Sequence, residues 1–355
     1  MHLLFFSLLL AMLAATTVSY NCNSYPFPLN DIWVPGQNKS ILNSSIDKFV
    51  DTNPEGMGSA HIWGNPEGPI PWERDKNNLF TIKYCFIRDY DRRHLVDMLE
   101  TTIEEWWNEI GQAGSRSGHG LTMKELTDAN GKPVYCMDNS AEDKWNKNVP
   151  YDTLPIEFTD GQEGSCSSTI GLKRTKPPKP WNMRLSIDSP NLIQDTMHEL
   201  GHVFGMEHEH QRADRDKYIQ VLYRNLHDHR SCYQKAKLQE PNIKEDDLCL
   251  HYKKALKYGC NCREYIAGVS INGETIKAFG KEFDYESIMM YNSNDNANRD
   301  CIEKFDQCPL ARWKDPEDHS KGTVRVANRA GVVSDLDYEW VKLTYPWKEP
   351  SNKKQ

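Results

Sequence analysis

A chain of 355 residues with a formal net charge of −8 is long enough to bury a full core. It lacks the basic surplus needed to neutralise a phosphate backbone, so no nucleic-acid partner is expected. One large domain in two lobes is predicted rather than several small ones.

The run from Met1 to Ala15 is apolar and is followed by Thr16, Thr17 and Ser19. It is too short for a membrane span, which needs roughly 20 residues, and reads as a secretory signal over 1–19. No later segment is apolar enough to cross a membrane, so no integral membrane segment is expected after signal removal, and the chain is expected to be secreted. All ten cysteines lie beyond the signal, an even number that suggests disulfides in an exported protein. The sequons Asn38-Lys39-Ser40 and Asn43-Ser44-Ser45 fit the same compartment and a glycoprotein.

Residues 20–72 are rich in Pro, Gly, Asn and Ser without a sustained period. They read as a pro-segment, which would make the chain a zymogen, or as an irregular extension. Leu79 to Ile87 alternates as a strand, and helical spacing from Asp91 to Ile110 follows it before Gly111. Leu154–Thr159 and Met183–Ile187 are two further predicted strands. Ser189-Pro190-Asn191 opens a helix over about 191–205, with Pro190 in its first turn. Regularity then fades, and 227–281 reads as an insertion of short helices and loops braced by Cys232, Cys249, Cys260 and Cys262. Ser334 is placed to cap a last helix, Asp335 to Thr344, with Leu336, Trp340 and Leu343 on one face. A polar tail, 347–355, ends the chain.

The chemistry concentrates in His198-Glu199-Leu200-Gly201-His202-Val203-Phe204-Gly205-Met206-Glu207-His208. On a helix His198 and His202 lie one turn apart on one face, so both imidazoles can reach a single ion. Glu199 is offset by about 100° and can approach a water there without being a ligand. Gly205 lets the chain leave the helix so that His208 returns as third ligand. Three neutral imidazoles leave one zinc ion its charge and an open position. Gly164-Ser165-Cys166-Ser167 lacks the strand-to-helix setting of a serine nucleophile, and no cysteine-histidine pair offers a rival arrangement.

The glycine and third histidine make the metzincin signature. Glu209-His210-Gln211-Arg212-Ala213-Asp214-Arg215-Asp216-Lys217-Tyr218-Ile219, with Phe283-Asp284-Tyr285-Glu286-Ser287-Ile288-Met289-Met290-Tyr291, resembles the astacin family. The resemblance implies an α+β catalytic domain over 73–346. Its active-site helix would lie between a mixed N-terminal sheet lobe and an irregular, disulfide-braced C-terminal lobe. It further implies a Met-turn at Met289, a metal-ligating and transition-state-stabilising Tyr291, and a Glu209 that pairs with the N-terminus of a processed enzyme. An extended peptide or protein substrate is expected antiparallel to an edge strand just before the helix, with Arg184–Ile187 as one candidate, while Phe158-Thr159 to Gly171 resembles the family's edge strand and cysteine-containing turn. Met290 stands where the family usually has His, no cysteine lies between Cys166 and His198, and the gap from His208 to Met289 is long. The competing expectation is a catalytically silent, zinc-stabilised binding or toxin-like module. Oligomeric state is left open by these patterns.

Overall fold

A computed structural model describes residues 59–61, 70–138, 144–159, 166–172, 183–188, 191–269, 276–279, 282–326 and 332–349. The signal segment, both sequons, Cys22, Ser189-Pro190 and most of 20–72 lie outside them.

The upper layer is a sheet of four parallel strands in the order β3-β2-β4-β5, namely Leu121–Glu125, Phe80–Phe86, Leu154–Thr159 and Met183–Ser186. Phe80, Ile82 and Tyr84 alternate inward along β2 while Lys83 faces solvent, which is the period of a half-buried strand. Helix α1, Asp89–Ile110, covers this face with Leu95, Leu99, Ile103, Trp106 and Trp107. It begins at Asp89 rather than at the predicted Asp91 because Asp91 closes a capping box. The Asp91 carboxylate accepts from Arg88 N at 2.8 Å and from Phe158 N of β4 at 2.9 Å.

The edge of this sheet differs from the expectation. Ser167 donates to the Arg184 carbonyl at 2.9 Å and accepts from the Arg184 N–H at 2.7 Å. The bridge is antiparallel, so it supplies the mixed character of the sheet. At Arg184 this edge is therefore not open, because its backbone N–H and C=O are already paired with Ser167. Ile70 in turn bridges Leu172, and the buried Trp72 donates from Nε1 to the Val203 carbonyl at 2.7 Å.

The segment Leu192–Phe204 forms α2, the floor of the upper core, matching the predicted helix to within one residue at each end. A second core lies beyond it, built by β6 (Ile219–Val221), β8 (Leu310–Trp313) and β9 (Thr323–Val324) as an antiparallel sheet together with the insertion. Among the described residues the insertion holds three short α-helices, α3 (His229–Gln239), α4 (Glu245–Leu250) and α5 (Tyr252–Tyr258), tied by Cys232–Cys260 and Cys249–Cys262. Strand β7 (Lys277–Phe279) pairs with β1 (Ser59–His61). Further bridges join Cys85 to Cys136 and Cys301 to Cys308, and Cys166 is also disulfide-bonded. The last helix, α6, spans Asp335–Thr344 with Ser334 as its cap, as predicted.

Candidate metal centre and catalytic cleft

Helix α2 ends at Gly205, whose φ of 112° is left-handed. A side chain resists that conformation, so glycine lets the backbone turn sharply. The turn brings the Met206 carbonyl over His202, whose Nδ1 donates to it at 2.8 Å, and returns His208 to the helix face. The other two rings are held in the same way. His198 Nδ1 donates to the Ile288 carbonyl at 2.8 Å, and His208 Nδ1 to Gln211 Oε1 at 2.8 Å. A proton on each Nδ1 leaves each Nε2 with its lone pair.

Those lone pairs converge. His208 Nε2 lies 3.2 Å from that of His198 and 3.1 Å from that of His202. Burial lowers all three imidazoles below their usual range, His198 to about 4, so they are neutral near pH 7. Three neutral nitrogen donors facing one another repel unless they share a cation, and an all-imidazole set suits zinc. The predicted ligands His198, His202 and His208 are thus brought together.

Glu199 lies on the same helix and is fully buried. Its Oε2 accepts from Ser168 Oγ at 2.6 Å, and its Oε1 makes no hydrogen bond among the described residues. Burial pushes its carboxyl up to about 8, against the pull of the Ser168 hydroxyl. Ser168 comes from the outer edge segment of the sheet. The periodicity of α2 gives no hint of it, since a serine in an irregular stretch carries no periodic signal.

Beneath the histidines, Met289 is fully buried in the upper core, while Met290 and Tyr291 belong to the lower one. Met290, where the resembled family has histidine, is thus a packing residue at 2% exposure. Two carboxylate oxygens fix the turn: Asp337 of α6 accepts from Ser287 Oγ and from Ile288 N, each at 2.8 Å. The Tyr291 ring lies 4.6 Å from that of His208 and 4.2 Å from that of His210. Burial raises its phenol well above the usual range, so it is a hydroxyl donor.

A Cβ on Gly201 would overlap the Met289 sulfur. The helix therefore accepts glycine's conformational cost, about 1 kcal/mol relative to Ala, to admit the methionine. Gly201→Ala is expected to destabilise the fold by about 1–3 kcal/mol through overpacking. A double-mutant cycle with Met289→Ala in urea denaturation checks this, and additive losses would refute the contact.

Glu209 is also buried, but its described partners are Arg212 Nη1 at 2.9 Å and Asp284 N at 2.9 Å. Burial opposes its charge and the guanidinium favours it. Its Oε2 makes no hydrogen bond among the described residues.

The family model for astacin (peptidase family M12A) matches residues 144–269, a range that holds all three histidines and stops before Met289 and Tyr291. Zinc metalloproteinase nas-5 of Caenorhabditis elegans is 36% identical over 94 residues, covering 25% of each chain. Astacin-like metalloprotease toxin 4 of Loxosceles laeta is 34% identical over 76 residues, covering 21% of this chain and 64% of its own. This chain therefore spans about a quarter of the nematode relative. Among solved structures, the hatching enzyme zinc-protease HCE-1 of Oryzias latipes superposes with a TM-score of 0.45 at 16% identity, over 77% of this chain and 94% of its own. Myroilysin gives a TM-score of 0.40 at 15% identity, over 81% and 99%. By sequence, residues 144–269 are thus similar to the astacin family, and the zinc-type triad lies inside that segment.

Proposed function

We propose that the chain is a secreted zinc-dependent endopeptidase in which Glu199 is general base and then general acid. The observation that carries this is the convergence of three Nε2 lone pairs, two of them from the helix that also carries the buried Glu199. Zinc held by His198, His202 and His208 supplies Lewis acidity toward a peptide carbonyl and toward water. Glu199 takes the proton of the attacking water on its carboxylate and delivers it to the departing amine. Ser168 holds that carboxylate in one orientation, and Tyr291, by the family resemblance, would donate its hydroxyl to the developing oxyanion and serve as a further metal ligand. Glu209, by the family resemblance, takes the N-terminus released when 20–72 is removed.

The substrate is an extended peptide or protein. In an antiparallel pair, neighbouring residues turn their polar groups to opposite sides, so Ser168 directs its N–H and C=O away from Arg184. A peptide paired there would lie next to the residue whose side chain donates to the Glu199 carboxylate. The disulfides Cys85–Cys136, Cys232–Cys260, Cys249–Cys262 and Cys301–Cys308 support an oxidising compartment, and no described helix is long and apolar enough to cross a membrane.

The test is cleavage of an unfolded protein by the secreted chain, trimmed of its N-terminal segment, before and after chelation. Activity should vanish with the chelator and return with added zinc. A chain that binds zinc and cleaves nothing would sink the reading and favour a silent binding module.

A further inference from the structure

Of the three groups that orient the histidine ligands, two are backbone carbonyls, of Ile288 and Met206, and one is a side chain. That side chain, Gln211, is fully buried. Its Nε2 donates to the Val269 carbonyl at 2.9 Å. A carbonyl can only accept, so the amide nitrogen must face Val269 and the amide oxygen must face His208. His208 Nδ1 therefore has to be the donor, which leaves its Nε2 unprotonated for the metal. The backbone of Gln211 makes a further pair of bonds, donating to the His208 carbonyl at 3.1 Å and accepting from Gly268 N at 2.7 Å.

Val269 and Gly268 belong to the exit of the insertion. Gly268 has a left-handed φ of 73°. A Cβ there would meet Ala213 at ordinary contact distance, so the backbone conformation, and not a lack of space, calls for glycine. The stretch before it is pinned by Cys249–Cys262, and His210 Nε2 donates to the Glu264 carbonyl at 2.9 Å within it. A disulfide-braced segment thus ends on the amide that orients the third ligand.

We infer that Gln211 is a positioning residue for zinc, setting the tautomer and direction of His208 and coupling the tightness of the metal site to the insertion. The other two ligands need no such coupling, because their acceptors belong to the turn after α2 and to the Ser287–Tyr291 turn. Outer hydrogen-bond partners of this kind are worth about 10–100-fold in metal affinity.

The experiment is zinc affinity, measured by competition with a chromogenic chelator, for the full secreted chain and for Gln211→Met and Gln211→Glu. Methionine matches glutamine in length and removes both hydrogen bonds, so affinity should fall about 10–100-fold. Glutamate keeps an acceptor for His208 Nδ1 but sets its second oxygen against the Val269 carbonyl, so it should recover part of the loss, an outcome that a general packing defect would not give. The cobalt-substituted spectrum should shift in Gln211→Met and return toward the parent in Gln211→Glu. Parent-like affinity in Gln211→Met, or an equal fall in both variants, would overturn the inference. It rests on the zinc reading of the triad but not on peptide hydrolysis. A parent chain that binds zinc without cleaving peptides leaves the inference standing, and one that binds no zinc removes both.

Discussion

Glu199→Gln should lose about 10²–10⁴-fold in kcat, the range for removal of a general acid-base group, while zinc content stays at the parent level. Glutamine keeps the size of the side chain and an oxygen that can accept from Ser168 Oγ, so the fold and the hydrogen bond at 2.6 Å survive. What disappears is the ability to hold a proton between two steps. A merely structural Glu199 would tolerate glutamine, since a neutral amide is cheaper to bury than a carboxylate. Steady-state cleavage of a fluorogenic peptide with parallel metal analysis decides the matter. Retention of more than about a tenth of the parent rate would refute the assignment, because the group would then contribute less than the lower end of that range.

Arg212→Met should lower stability by about 3–5 kcal/mol, the cost of leaving one partner of a buried ion pair behind. The guanidinium is fully buried and uses its whole fork. Nη1 reaches Glu209 Oε1 at 2.9 Å and also the Glu282 carbonyl, while Nε and Nη2 grip Asp214 at 3.0 and 2.9 Å. Without it, Glu209 would keep only the Asp284 N–H among these contacts. Arg212→Lys should recover only part of the loss, because one ammonium cannot span three acceptors in a plane. Urea denaturation of the three chains is the check. A loss below about 1 kcal/mol would mean the pair is worth no more than a surface salt bridge.

The contrast between these two residues shows which parts of the site could be read from the sequence. The expected convergence of His198, His202 and His208 follows from helical spacing and one glycine, all within eleven consecutive positions, and the structure brings these three imidazoles together. Ser334 as a helix cap was legible for the same reason, since a cap is a local device. Arg212 lies in the stretch just after the third histidine, yet nothing local says that its fork would be buried among Glu209, Asp214 and Glu282. Ser168 reaches Glu199 across 31 positions and Asp337 reaches Ser287 across 50, distances over which periodicity carries no information. The pairing at Arg184 has a related cause: alternation announces a strand but not which of its two sides is already paired, and only the resemblance pointed to the stretch that holds Ser167. Gln211 was in plain view, and only the Val269 carbonyl gives it a direction.

The Asp337 carboxylate has one more implication. It sits in the first turn of the last helix, where it accepts from Ser334 N at 3.2 Å as part of that helix's own cap, and the same two oxygens hold the turn whose Ile288 carbonyl orients His198. During synthesis the histidine motif emerges from the ribosome long before this helix does. The nascent chain can therefore expose all three imidazoles while the first still lacks a fixed direction. The direction of the first ligand thus depends on α6 docking against the turn that carries Ile288.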